Sequence, residues 1–464
     1  MKRFFAKHVF DGLQWLENVT IDVDDKGMIS SVSTDMSEDV RPCDDALILD
    51  GYVIPAMPNV HSHAFQRAMA GHAEKITRKG QDSFWTWRQL MYAFVDHLTP
   101  EDVESIAAWL YVEMLKSGYG WVGEFHYLHH DTNGKPHANS NAMLQAHISA
   151  AKQSGIGLTM IPSLYSHANF GGVQHEHGQR RFINTVDTYG TLLDHALSEQ
   201  SRTAPQGRLK TAMSFHSLRA VTQPQMEALI PAYPDLNIHM HIAEQEKEVQ
   251  DSLNWSGKRP AEWLFDTIDV DSKWTLIHAT HLNDQERGAI AKSGAIIGFC
   301  PTTEANLGDG IFPLQPYIAE GGSFAIGTDS HISIDPVEEL RMIEYAQRLT
   351  HRRRSLSASD VHRSPALYLY SQALKGGASS MDAPIGAIAV GRFADFVVLD
   401  ADAPCFDGCA VDDVFDRYVF ARQERCVHSV ICAGTLMVQN GRHVHEDALR
   451  ARYKKTLEKI YAQL

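Results

Sequence analysis

"VIPAMPNVHSH", residues 53–63, is an apolar run that ends in two histidines one residue apart. Side chains alternate between the faces of a strand, so His61 and His63 point the same way. Phe65, Gln66 and Arg67 follow at once. Taken alone, the pair also fits a surface strand. What decides is whether other strands of the chain end in the same manner.

They do. Apolar, strand-like runs recur as "WVGEFHYLHH" (121–130), "LTMIPSLYS" (158–166), "RLKTAMSFHS" (208–217), "LNIHMHIAE" (236–244), "WTLIHATHL" (274–282), "AIIGFCP" (295–301) and "SFAIGTDSH" (323–331). Helical segments separate them, such as "DVESIAAWLYVEMLKSGY" (102–119) and "NAMLQAHISAAKQSG" (141–155). Strands alternating with helices predict βα units and a parallel sheet. With residues 53–63 as the first strand there are eight, so the predicted class is α/β, a (β/α)8 TIM-like barrel.

The two ends of the chain resemble each other and not the middle. "ENVTIDVDDKGMISSVST" (17–34) alternates apolar and polar residues about a Lys-Gly turn, and "CVHSVICAGTLMVQNGRHV" (426–444) has the same character. These predict a small β-sandwich domain built from both ends, residues 1–55 and 388–445, beside a barrel over 56–387 and a terminal amphipathic helix over 446–464. "YSHANFGGVQHEHGQRRF" (165–182), rich in Gly, His and Gln, predicts a loop over the barrel mouth, with Arg180 and Arg181 on a charged loop face.

The chain has 464 residues, 44% hydrophobic and 21% charged, with a formal net charge of −15. That charge disfavours nucleic acid and anionic membrane as partners. The first residues hold too short an apolar run for a signal peptide's core, and no stretch approaches the length of a membrane span, so a cytoplasmic protein is expected. The six cysteines show no paired CxxC spacing and are expected to be small buried hydrophobes. The 25 histidines are the unusual count.

In a barrel, reacting residues sit at the C-terminal ends of the strands. Read in order, those ends supply His61 and His63, then His241 with Glu244 three residues on, then His278, then Asp329. Three imidazoles and a carboxylate suit Zn²⁺ or Fe²⁺. Such an ion lowers the pKa of bound water to about 7. Asp329 is expected to hold the metal and help take a proton from the water, leaving Glu244 and His278 for the remaining proton chemistry. His278 is preferred to His281 because it stands directly at the strand end. His126, His129 and His130 are expected to pack or hydrogen-bond near a strand end, not to form a second metal cluster.

"VIPAMPNVHSH", "HIAE", "IHATHL" and "IGTDSH" resemble the signature strands of the amidohydrolase superfamily, and "GRFADFVVLD" (391–400) resembles its C-terminal strand. Binuclear members would carry a bridging lysine on the fourth strand. Here His216 stands near that strand's end and Lys210 near its start, which favours one divalent metal ion, Zn²⁺ first, with Fe²⁺ accepted by the same donors. Within the superfamily, "NVHSHAFQRAMAG", "FWTWRQLMY", "GEFHYLHHD", "SFHSLRAV" and "CPTTEANLGDGIFPL" are similar to the deiminases that act on N-formimidoyl-L-glutamate. That resemblance implies hydrolysis to N-formyl-L-glutamate and ammonia in histidine degradation, a small-molecule dicarboxylate as partner, and a homodimer. Guanidinium forks suit two carboxylates. The resemblance places Arg88 and Arg219 at the pocket, with Gln66, Tyr127 and His216 as further substrate contacts. Two alternatives stay open: a deaminase of a purine or S-adenosylhomocysteine-like substrate on the same metal core, for which paired arginines are a poor fit, and a non-catalytic barrel, which would be expected to have lost ligands.

Overall fold

The structure is a computed structural model that describes residues 1–34, 46–74, 83–203, 207–358 and 363–464. Four strands come first: β1 (Lys2–Phe10), β2 (Trp15–Val23), β3 (Ile29–Thr34) and β4 (Leu47–Pro55). Then follow β5 (Met57–Ser62), β6 (Tyr119–His126), β7 (Gly157–Leu164), β8 (Leu209–Thr211), β9 (Met213–Ser217), β10 (Ile238–Ile242), β11 (Trp274–His278), β12 (Ile296–Phe299) and β13 (Ser323–Ile326). The last four are β14 (Phe396–Leu399), β15 (Val427–Cys432), β16 (Thr435–Gln439) and β17 (Arg442–His443).

The central sheet runs β5–β6–β7–β9–β10–β11–β12–β13, with β8 paired to β7. Every pairing in it is parallel. β5, β6, β7, β10 and β11 are buried along their whole length. Burial on both faces is why these strands read as continuous apolar runs. The run "RLKTAMSFHS" is two strands, β8 and β9, interrupted at Ala212, whose N–H donates to the Met160 carbonyl at 3.0 Å.

The sheet closes between its first and last strands. Thr328 and Asp329 N–H groups donate to the His61 carbonyl at 3.1 and 3.0 Å, and His63 N–H donates to the Asp329 carbonyl at 3.1 Å. The seam of the barrel therefore lies among the residues that the strand-end pattern singles out. Gly327 is what permits the approach: a Cβ there would lie 2.8 Å from the Cβ of His61. A larger residue would push the seam apart.

The second sheet runs β17–β16–β15–β14–β4–β1–β2–β3 and is drawn from both chain ends. Its β1–β4 pair is parallel, and its other pairs are antiparallel. The opening run "VIPAMPNVHSH" belongs to both sheets. β4 ends at Pro55 and β5 begins at Met57. Prolines 55 and 58 carry no N–H, so neither can donate to a ladder. Between them the Ala56 N–H turns to the Asp395 carbonyl at 3.0 Å and the Met57 N–H to Gly118 at 2.9 Å.

The last helix, Glu446–Tyr461, packs on the helix Pro100–Ser117 through a stacked Trp109–Tyr453 pair and a Lys459–Asp102 ion pair at 2.6 Å. Its Tyr461 hydroxyl donates to the Ala68 carbonyl at 2.7 Å, in the turn that follows His63. No described helix is long and apolar enough to cross a membrane. The five described cysteines are free; Cys300, Cys426 and Cys432 are buried, while Cys405 and Cys409 are only partly so. Cys43 lies outside the described residues.

Candidate active site

The C-terminal strand ends open into a cavity. His63, His241, His278, Glu244 and Asp329 line one end of it, and Arg88, Arg219, Tyr92, Tyr165 and Phe182 line the other.

At the first end three imidazole nitrogens converge. His61 Nε2 lies 3.1 Å from His63 Nε2 and 3.0 Å from His241 Nε2, and the last two are 3.3 Å apart. A tetrahedral cation about 2.1 Å from each nitrogen would set them about 3.4 Å apart. The tautomers agree with that reading. His63 Nδ1 donates to the Phe125 carbonyl at 2.9 Å and His241 Nδ1 to the His216 carbonyl at 2.7 Å. With Nδ1 carrying the proton, each Nε2 turns a lone pair inward. Burial first, then repulsion from neighbouring histidines, holds His61 and His241 well below the usual imidazole range. Burial brings His63 down to about 3 against the Phe125 hydrogen bond. All three are thus neutral donors, and the residues fit a divalent cation.

Asp329 Oδ1 lies 3.4 Å from His63 Nε2 and 3.6 Å from His61 Nε2. Its Oδ2 lies 3.7 Å from His278 Nε2, which is also 3.7 Å from Glu244 Oε1. Burial lifts the Asp329 carboxyl to about 7, with His278 opposing. Burial would lower His278, but Glu244, Glu304 and Asp329 outweigh it and raise the ring to about 10. Glu304 orients that ring by accepting from Nδ1 at 3.2 Å. Three of the strand-end residues have left-handed backbones: Ala243 at φ 49°, His278 at 66° and Asp329 at 45°. Such conformations strain non-glycine residues and persist where the surroundings over-determine them. Here each breaks its strand at the point where a side chain must turn into the cavity.

At the other end, Arg88 stands on the helix Phe84–Val95 and donates through Nη2 to Tyr165 Oη at 2.8 Å. Gln179 Nε2 donates to the same hydroxyl at 2.8 Å. Arg219 follows β9, and its Nε is buried without a hydrogen-bond partner. Gln66 donates to Tyr127 Oη at 3.1 Å, and its Oε1 has no partner. The His216 ring lines the cavity, while its carbonyl fixes His241.

The remaining histidines divide cleanly. His281 Nε2 donates to the Asp309 carbonyl at 2.8 Å. His129 and His130 donate to the Ser163 and Ile183 carbonyls at 3.0 and 2.7 Å, and His126 packs against the rings of His129 and His147. Lys210 pairs with Asp382 at 3.1 Å, at the far end of its strand. Arg181 corrects the reading of its loop as a charged, solvated face. It is buried, and its guanidinium donates to the carbonyls of Val95, Leu98 and His130. A planar fork with five donors suits three backbone acceptors, so the loop tip is clamped down from inside.

Tyr165, Glu304 and Phe182 are the participants that residue spacing does not reveal. Tyr165 ends the run "LTMIPSLYS", so its strand-end position was the available signal. Glu304 sits inside "CPTTEANL", which offers no periodic cue.

A barrel of parallel strands with His-His, His, His and Asp at four strand ends defines the class, and the comparisons agree with it. A model of the amidohydrolase family matches residues 52–437, and the chain belongs to that family. The chain is 45% identical to formimidoylglutamate deiminase of Pseudomonas aeruginosa, over 99% of this chain and 100% of that protein. It is 25% identical to a 5-methylthioadenosine/S-adenosylhomocysteine deaminase of Natronomonas pharaonis, over 84% of this chain and 81% of that one. Among solved structures, an amidohydrolase from Brucella melitensis superposes with a TM-score of 0.92 at 40% identity, covering 99% of this chain and 100% of that one.

Proposed function

We propose that the chain hydrolyses N-formimidoyl-L-glutamate to N-formyl-L-glutamate and ammonia. The observation that carries this reading is the cavity's polarity. Its lining combines the convergent imidazoles, Glu244, His278 and Asp329 with two guanidiniums, Arg88 and Arg219. A substrate that carries two carboxylates and an amidine matches that combination of groups. The similarity to formimidoylglutamate deiminase over the full chain supports the same substrate.

His61, His63, His241 and Asp329 would hold one divalent cation, Zn²⁺ by the balance of nitrogen and oxygen donors. When bound, it supplies Lewis acidity that makes water a nucleophile near neutral pH. The chain's own residues do the rest. Arg88 and Arg219 bind the carboxylates, and Gln66 and Tyr127 hold the substrate's polar middle. Asp329 Oδ2 takes a proton from the attacking water. Glu244 Oε1 carries a proton to the leaving nitrogen. His278, positioned by Glu304, stabilises the tetrahedral centre through Nε2 and passes charge between the two carboxylates. Water adds across the C=N bond, its oxygen to carbon and its protons to the terminal nitrogen; the C–N bond to that nitrogen then breaks, ammonia leaves and the formyl C=O remains.

This activity belongs to histidine degradation, and we place the protein in the cytoplasm as a homodimer, a state that light scattering would test. The purine alternative has one feature in its favour, the aromatic walls of Tyr92, Tyr127, Tyr165 and Phe182. A purine leaves both guanidiniums without a counter-charge. The discriminating experiment is ammonia release from N-formimidoyl-L-glutamate by metal-loaded protein, with adenosine, guanine and S-adenosylhomocysteine run in parallel. Release from the first alone is expected. Turnover of a purine with none of the first would discard the dicarboxylate pocket.

A further inference from the structure

Glu248 is a buried carboxylate that the chemistry above leaves unused. It stands at the third position of the helix Glu246–Ser256, one turn beyond Glu244, and is 1% exposed. Its Oε1 accepts from the Ala243 N–H and its Oε2 from the Glu244 N–H, each at 3.2 Å. Those two residues form the turn that throws the Glu244 side chain into the cavity. Ala243 holds that turn in the left-handed region at φ 49°, and its carbonyl is tied to the next strand by the His281 N–H at 3.0 Å.

A carboxylate at the start of a helix commonly accepts from nearby N–H groups, and those two bonds alone would describe a cap. Glu248 has a further partner that a cap does not need. Its Oε2 lies 3.9 Å from Arg219 Nε, and that Nε has no hydrogen-bond partner of its own. Arg219 lines the same cavity as Glu244. One oxygen thus faces both the backbone of the proton-transfer residue and the Arg219 guanidinium.

We propose that Glu248 is a positioning residue that couples the seating of a substrate carboxylate on Arg219 to the placement of Glu244. This rests on the reading that a substrate carboxylate occupies Arg219. Without substrate, Glu248 Oε2 is shared between the guanidinium and the Glu244 N–H. When a substrate carboxylate takes the guanidinium, Oε2 is left to the Glu244 N–H and the turn tightens over the reacting carbon. Groups in direct contact or in one network depart from additivity, and that departure is measurable.

The test is a double-mutant cycle on the metal-loaded full-length chain, with Glu248→Gln, Arg219→Gln and the double variant assayed for kcat and KM on N-formimidoyl-L-glutamate. Glu248→Gln should lower kcat about tenfold with metal content unchanged, and the double variant should lose about tenfold less than the product of the single losses. Glu248→Asp keeps the charge but shortens the reach, and it carries the same cycle if the amide variant fails to accumulate. Independent, multiplicative losses would overturn the coupling, as would a Glu248→Gln protein whose melting temperature falls while kcat holds. Ammonia release by the wild type in the same assay separates the two failures. Its presence with independent losses rejects the coupling alone, and its absence rejects the functional reading and the coupling with it.

Discussion

The two ends of the cavity are built by different means. The histidine end, proposed to hold the metal, stands on strand termini, with ring tautomers fixed by the carbonyls of Phe125 and His216 and strand breaks at Ala243, His278 and Asp329. The guanidinium end stands on a helix and on loops, with Arg88 held by a tyrosine hydroxyl and Arg219 by a distant carboxylate. Strand ends are tied into a closed sheet and move little relative to one another. Helix and loop positions depend on side-chain packing. The first end is thus fixed by backbone pairing, and the second by individual side-chain contacts.

The comparison is easiest to break at the metal end. His61→Ala or Asp329→Ala should lower activity by at least about a thousandfold and release the metal, as elemental analysis would read. Full turnover in the Asp329 variant would remove the residue from the site. Glu244→Gln should keep the metal and lower kcat by about a hundred- to ten-thousandfold, which separates proton transfer from metal binding. At the selecting end, Arg88→Ala and Arg219→Ala should each lower kcat/KM by about ten- to a hundredfold, since a hydrogen bond to a charged group contributes about 1.5–3 kcal/mol. The melting temperature of the Arg88 variant should stay close to the wild type, because Arg88 is no part of the barrel seam, whereas that of the Arg219 variant should fall, because buried Glu248 loses its counter-charge.

The smallest expected effect lies behind the metal end. Glu124 accepts from Ser62 Oγ at 2.6 Å, from the Ala64 N–H at 2.8 Å and from Tyr111 Oη at 3.1 Å, bracketing His63. Burial lifts its carboxyl to about 7 against those three bonds. A folded value above the unfolded one contributes stability that is fully present below the ordinary carboxylate range and is lost as pH rises through about 7. Glu124→Gln should therefore flatten the fall in melting temperature between about pH 4.5 and 7. An unchanged slope would mean that Glu124 is not the titrating group.

The same contrast explains what the sequence could reveal. The barrel was legible because its strands are buried on both faces and read as apolar runs, and the clustering of His61 with His63 was legible because the two obey the period of a strand. Two strand boundaries were hidden. Residues 53–63 cross between two sheets at Ala56, and residues 208–217 break at Ala212; neither break interrupts the apolar pattern. Arg88 and Arg219 entered through the resemblance of their motifs to a known family, since a loop has no period to read. Tyr165 had only its place just after β7, and Glu304 only its place in a family-like stretch; their contacts with Arg88 and His278 became visible when folding brought them together. Arg181 shows the opposite failure: its composition suggested solvent, and its hydrogen bonds to three carbonyls put it inside.

The central claim is that both ends act on one molecule. The most direct measurement compares kcat/KM of the wild type for N-formimidoyl-L-glutamate with that for N-formimidoyl-L-glutamine, in which one carboxylate is an amide. The account predicts a loss of about tenfold or more for the amide, as expected when a charged hydrogen bond is removed from a guanidinium. Equal values for the two would contradict it, because the arginine wall would then have no part in selecting the substrate.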